Sequence, residues 1–330
     1  VIAGVNLVRF LNKDGEKKQS KNTDHYNALQ CRPGKTAIRY PMKSTFPLGH
    51  EHYYDNLIPV YFRNQKEFPF VYNSTANCLD ENDQVDLRWC CGDMPEEYEE
   101  QLKKQPKDWV WRDREVRYMS NWNGYRARDW EDYNWSESIV VIGCSMVYGV
   151  GVSNEHTFCH HLSKLMGRDV INLGTPAGSN ELTLSNLQRL IEHFDTPWAI
   201  VVAWTTVDRD CAYTQTSIDK MGPWSYFSAR PRDSFVDSDY FDDKKYYEVN
   251  FLDNLYHSMG RYINTVNLTK TLAKSTGTRF VNFTWWENNA ELSNADFTAW
   301  FLDRARDDCH AGIKSHEALG KQLYERLIDL

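Results

Sequence analysis

No apolar run in these 330 residues approaches the roughly 20 that a membrane-spanning helix needs, and no charged-then-apolar leader follows Val1. The chain therefore reads as soluble. Positive charge is also in short supply. Lys and Arg number 38 against 46 Asp and Glu, a formal net charge of −8. Binding to a phosphate backbone depends on cations that displace counterions, so nucleic acid is not an expected partner. Glycine-rich phosphate cradles are missing as well: no Gly-x-Gly-x-x-Gly follows a strand and no Gly-x-x-x-x-Gly-Lys occurs. The eight cysteines, at 31, 78, 90, 91, 144, 159, 211 and 309, lack the short regular spacing of a disulfide framework or a zinc site. Unpaired thiols suit a reducing compartment, which favours a cytoplasmic or virion-associated protein over a secreted one.

What is present is ordinary globular stock with one excess. Hydrophobic residues make up 41% and charged residues 25%, enough apolar material to bury a core. Aromatics reach 14%, with 12 Trp and 19 Tyr, which suggests stacking surfaces for sugars or for protein partners, a second copy included. The length exceeds the usual single domain, so one large domain with an appended region is expected.

The pattern changes along the chain. Residues 1–115 show short β-like pieces, 57–62 and 68–72, among polar turns, and read as an accessory region. A charged stretch, 94–107, reads as one exposed helix that Pro106 ends. From Ser138 strands alternate with helices, the signature of a parallel sheet covered on both faces. Strands are expected at 138–142, 170–172, 199–204 and 279–283, with helices at 158–166, 181–194, 251–274 and 315–330. The second of these helices puts Leu184, Leu187, Leu190, Ile191 and Phe194 on one face, and the last stripes Leu319, Leu323 and Leu327. Two interruptions fall where parallel-sheet proteins carry chemistry, after strand carboxyl ends: 211–250, which holds Trp224 and Tyr226, and 284–308, which holds Trp285 and Trp286. These four aromatics are candidate substrate contacts.

The first strand candidate runs into Gly143-Cys144-Ser145-Met146-Val147-Tyr148-Gly149. A glycine-bounded turn after a strand presents a hydroxyl beyond the sheet edge, beside helix N–H groups that favour developing negative charge. Far downstream stands Asp307-Asp308-Cys309-His310, just before the last amphipathic helix. An Asp three residues ahead of a His can turn back onto its imidazole and fix the tautomer, which leaves the other ring nitrogen for the Ser. His156, His160 and His161 have no carboxylate or cysteine pattern to complete a tetrahedral set, so no metal and no cofactor is expected.

In this order the pieces resemble the SGNH/GDSL hydrolases, a family of esterases and deacetylases, over roughly residues 121–330. Asn123-Gly124-Tyr125-Arg126 is similar to a lead-in segment of bacterial members, and residues 143–152 to the Gly-Asp-Ser-x-x-x-Gly block. Residues 172–180 (NLGTPAGSN) are similar to the second block, and 307–310 to the last. The resemblance implies an α/β, flavodoxin-like three-layer domain at 116–330 with an aromatic-rich insertion at 211–250. It implies Ser145 as nucleophile, Asp307 and His310 as its partners, and an oxyanion donor at Gly178 or, one register away, Ala177, with Asn180 close by. It also implies an ester substrate, plausibly an acetylated carbohydrate.

Two positions depart from the family pattern. Cys144 replaces an Asp that lies outside the triad. Val207 falls where the third block carries its oxyanion Asn, and Asn180, Thr205, Thr206 and Arg209 are the polar groups placed to substitute for it. Loss of one oxyanion donor costs about 10²- to 10³-fold in turnover. A second reading follows, in which the fold persists as a binding or structural module, for example in a phage particle.

Overall fold

A computed structural model of the chain describes backbone and side chains for residues 69–70, 87–90, 92–207, 209 and 258–330. It describes backbone alone for 26–29, 38–41, 210–213, 226–229 and 255–257. The chain divides into two units, Val1–Thr45 and Phe46–Leu330. In the first, β1 (Tyr26–Leu29) pairs antiparallel with β2 (Ile38–Pro41).

The second unit is built on a five-stranded, all-parallel sheet formed by β3 (Ile139–Gly143), β4 (Val170–Gly174), β5 (Ala199–Trp204), β8 (Arg279–Thr284) and β9 (Phe297–Thr298). Its spatial order is β4-β3-β5-β8-β9, the doubly wound flavodoxin-like order. Every residue of β3 and of β5 is buried, as a strand covered on both faces requires, and this explains their unbroken apolar runs.

Alternation along the strands feeds two cores. Ile139, Val141, Val201 and Val281 pack with Phe158 and Leu162 of α3 (Phe158–Met166) and with Leu319, Leu323 and Leu327 of α7 (Ile313–Ile328). Val140, Ile142, Ile200 and Val202 pack with Leu187 and Leu190 of α4 (Asn180–His193) and with Tyr262 and Val266 of α5 (Leu255–Ser275). The result is three layers, helix on sheet on helix. Thr157 and Ser179 cap α3 and α4 by accepting from the His160 and Leu182 N–H groups.

The expected elements differ in detail. Ile191, assigned to the inward face, is exposed, because Leu187 and Leu190 take the inward direction. The stretch 284–308 contains α6 (Glu287–Ser293) and the two-residue β9, both too short to leave a periodic signal. The exposed charged helix is α1 (Pro95–Lys104), and Gln105, held extended before Pro106, closes it. Within 211–250 the backbone of β6 (Asp210–Tyr213) pairs antiparallel with β7 (Tyr226–Ala229). The remainder of that insertion, and the β-like piece at 57–62, lie outside the described residues.

A third cluster joins Cys90 and Trp111, from the stretch read as accessory, and Val116 and Tyr118, just after it, to Tyr148, Val150, Val152 and Ala305. Cys90, Trp109, Trp111, Val116 and Tyr118 thus share a core with the sheet domain. Among the described residues no helix is long and apolar enough to cross a membrane.

Candidate active site

The chain leaves β3 for β4 on one side and returns to β5 on the other, so the carboxyl end of β3 lies at a topological switch point, where doubly wound sheets open a crevice. Ser145 stands there as the first residue of the one-turn helix α2 (Ser145–Tyr148). The helix lies directly on β4: a Cβ on Gly174 would fall 2.1 Å from the Tyr148 nitrogen and 2.6 Å from the Val147 carbonyl carbon, so only glycine permits the approach.

Asp307 and His310 come from a tight turn after β9. Asp307 Oδ1 accepts the N–H groups of Cys309 at 3.1 Å and His310 at 3.0 Å, and Asp308 between them takes a left-handed φ of 57°. The turn is closed by Ala305 N–H donating to the His310 carbonyl at 2.9 Å. The other carboxylate oxygen, Oδ2, meets His310 Nδ1. A carboxylate only accepts, so Nδ1 carries the proton and Nε2 is left as an acceptor. Ser145 Oγ lies 2.8 Å from that Nε2, across 165 positions of sequence. Hydroxyl, imidazole and carboxylate therefore form one hydrogen-bonded chain in which the imidazole can take the serine proton as an electrophile is attacked.

The second block begins against the same strand end, with Thr175 N–H donating to the Gly143 carbonyl at 2.9 Å. Thr175 to Gly178 form a turn with Pro176 second and Ala177 third, at a φ of 58°. Gly178 N–H closes it on the Thr175 carbonyl at 2.9 Å, the hydrogen bond of a type II turn. The expected Gly178 donor is thus committed inside its own turn. Among the described residues Ala177 N–H makes no hydrogen bond.

Of the polar groups around Val207, the Asn180 side chain is occupied. Asn180 accepts the Thr205 N–H at 3.1 Å through Oδ1 and donates to the Thr205 carbonyl at 3.3 Å through Nδ2. Thr206 offers its carbonyl to the Arg209 N–H at 3.3 Å. Among the described residues the buried Thr205 hydroxyl has no partner. Val207 packs against the α4/α5-side core. Arg209 is only 8% exposed, and among the described residues its guanidinium makes one long contact, 3.5 Å, to the Gly178 carbonyl.

Trp285, expected at the substrate surface, is only 6% exposed and packs on Phe283, Phe301 and His316; the strand direction of β8 turns it into the core. Trp286 is half-buried against the same core. Trp224 and the Tyr226 side chain lie outside the described residues. Among the described residues, Asp307, Cys309 and His310 bring ligand-type atoms within 4.8 Å of one another, whereas His156, His160 and His161 form no such group.

Sequence reasoning passed over three buried polar groups around this site. Arg126, at the end of the quoted lead-in segment, donates to the carbonyls of Tyr148, Gly149, Val152 and Arg117, pinning the loop after α2. Asp93 and Arg306 form a buried ion pair at 2.7 Å. No spacing rule links positions so far apart.

A Ser at the switch point, held by an Asp-x-x-His turn, decides the likeness. The chain resembles the SGNH/GDSL hydrolases. Solved structures that match it are of that kind. They include the psychrotrophic esterase EstA from Pseudoalteromonas sp., at 10% identity and a TM-score of 0.35, covering 58% of this chain and 97% of that one. A carbohydrate esterase family 2 enzyme with a carbohydrate-binding domain, from Corynascus thermopiles (Myceliophthora fergusii), matches at 14% identity and a TM-score of 0.35, covering 58% and 66%. AlinE4, an SGNH-hydrolase family esterase, matches at 11% identity and a TM-score of 0.32, covering 60% and 98%. No protein-family model matches the chain, and no curated protein does.

Proposed function

We propose that this chain is a serine hydrolase of the SGNH type that cleaves ester bonds through an acyl-enzyme on Ser145. The observation that carries the reading is the 2.8 Å approach of Ser145 Oγ to His310 Nε2, with Asp307 on the far side of the ring. His310 takes the serine proton as Oγ attacks the ester carbonyl, then returns it to the leaving alcohol. A water repeats the sequence in reverse and releases the acid.

The tetrahedral oxyanion receives the Ser145 and Ala177 N–H groups. With Val207 in place of the third donor, turnover falls below that of a site with three, by about 10²- to 10³-fold unless Arg209 compensates. The substrate class we favour is an O-acetylated carbohydrate. The aromatic-rich composition of 211–250 supports that choice, since sugar rings stack on aromatic side chains.

A fluorophosphonate probe tests the reading, since it reacts only with an activated serine. Labelling of the folded protein that disappears in Ser145→Ala supports the hydrolase. Absence of labelling in the folded wild type supports the rival reading, a binding or assembly module, which Val207 and the committed Gly178 N–H favour. A panel of acetylated sugars and short aryl esters, with the same control, then defines the substrate.

A further inference from the structure

Arg306 immediately precedes Asp307, and its side chain is only 4% exposed. It reaches back 213 positions to Asp93, itself 1% exposed, donating from Nε at 3.0 and 3.2 Å and from Nη2 at 2.7 Å. Nη2 also donates to the Arg88 carbonyl, and the guanidinium lies 4.2 Å over the Trp89 ring. Asp93 accepts the Tyr118 hydroxyl as well. Tyr118 in turn accepts the Gly151 N–H at 2.7 Å, and the Gly151 carbonyl accepts the Arg306 N–H at 3.2 Å. The hydrogen bonds close into a ring: Arg306 side chain, Asp93, Tyr118, Gly151, Arg306 backbone.

Two glycines, Gly151 in the ring and Gly92 beside it, leave little room for a side chain between the ring and the Asp307–His310 pair. A Cβ placed on Gly151 would stand 3.2 Å from Asp307 Oδ1. One placed on Gly92, next to Asp93, would stand 3.9 Å from His310 Cε1. Burying an ion pair gains little stability over an apolar pair of the same volume, because both charges lose their water. What the ion pair supplies that an apolar pair does not is direction: a bidentate fork fixes the backbone it hangs from. Here that backbone is the residue before Asp307. Burial pushes the Asp93 carboxyl above its ordinary range while the Arg306 guanidinium pulls it back, so the two charges depend on each other.

We propose that Asp93 and Arg306 are positioning residues for the Asp307–His310 pair, and that residues 92–118 form the rear wall of the active site. This rests on the hydrolase reading of Ser145. The residues act through the turn and make no contact with substrate.

The test uses the full chain with Asp93→Asn and with the double variant Asp93→Leu/Arg306→Met. Fluorophosphonate labelling rates are measured from pH 5 to 9, with thermal midpoints and the downfield proton NMR signal of His310 Nδ1–H. In Asp93→Asn, labelling slows roughly 10- to 100-fold, the scale of an ångström-level misplacement. The double variant, free of unpaired buried charge, recovers the wild-type thermal midpoint but stays slow and loses the His310 proton signal. Recovery of the labelling rate along with the thermal midpoint overturns the proposal and leaves a structural ion pair. If the wild type itself is not labelled, the hydrolase reading fails. The positioning claim is then decided by the His310 signal alone, and its persistence in the folded double variant overturns it.

Discussion

Asn180 grips the backbone of Thr205 with both ends of its amide, accepting the N–H and donating to the carbonyl across 25 positions of sequence. The first residue of α4 is thereby tied to the loop that leaves β5. Asn289 of α6 donates to the same carbonyl at 3.2 Å. An amide spent in this way stabilises the crevice wall and is not free for an oxyanion. Asn180→Ala is therefore expected to cost about 1–3 kcal/mol in urea unfolding, the penalty of leaving a buried backbone N–H unmet. The labelling rate of the folded fraction should stay within tenfold. A drop of 10²-fold or more would mean that the amide reaches the substrate after all.

Ala177 holds a φ of 58°, a conformation that costs a residue with a side chain about 1–2 kcal/mol and costs glycine little. Ala177→Gly keeps the N–H and relieves the turn. Allowing for the greater freedom of glycine in the unfolded chain, the variant should gain about 0.5–1 kcal/mol. Its fluorophosphonate labelling should remain within a few-fold of wild type. Unfolding curves and labelling rates check both halves.

Gly151 makes the opposite prediction. Its φ is 80°, and an added Cβ would fall 2.6 Å from the Ala305 Cβ and 3.0 Å from the Arg306 nitrogen. Backbone strain of about 1–2 kcal/mol adds to overpacking of about 1–3 kcal/mol. Gly151→Ala should thus lose several kcal/mol and, even at temperatures where it is folded, label at least tenfold more slowly, because the turn carrying Asp307 must move. Wild-type labelling in that variant would show the turn to be tolerant.

His316 gives a pH signature. Buried in α7 and accepting the Phe158 N–H through Nδ1, it has its pKa pushed down to about 3 by burial first and by nearby positive charge second. The unfolded chain protonates it near pH 6.5, whereas the folded chain does not until about pH 3. Between those values the unfolded state binds more protons, so this residue's contribution to stability is intact above about 6.5 and falls by up to about 1.4 kcal/mol per pH unit below it. His316→Gln keeps an acceptor without the titration. Thermal midpoints measured from pH 7 to 4 should fall less steeply in that variant than in wild type.

The strands and long helices were legible because burial on two faces forces apolar runs and burial on one forces stripes; β5 and α3 lie where periodicity places them. Ser145 and the Asp307–His310 turn were legible for a local reason, since each is a short segment whose backbone shape follows from its own residues. The choice between Gly178 and Ala177 was not. Which N–H a turn consumes depends on its closing hydrogen bond, and the letters Pro-Ala-Gly fit either register. Trp285 misled for a related cause: aromatic content after a strand does not tell which side of the sheet a ring takes. The Asp93–Arg306 pair had no local mark at all, because its meaning arises only when distant stretches meet.

The order of the parts along the chain has a temporal consequence. Ser145 is made and can pack on β4 while β8, β9 and the Asp307–His310 turn are still unsynthesised. A nascent or prematurely released chain therefore carries an inert alcohol. On the proposed hydrolase reading, reactivity at that alcohol arrives only when the far edge of the sheet has docked, which would make a serine-directed probe a gauge of completed assembly during translation.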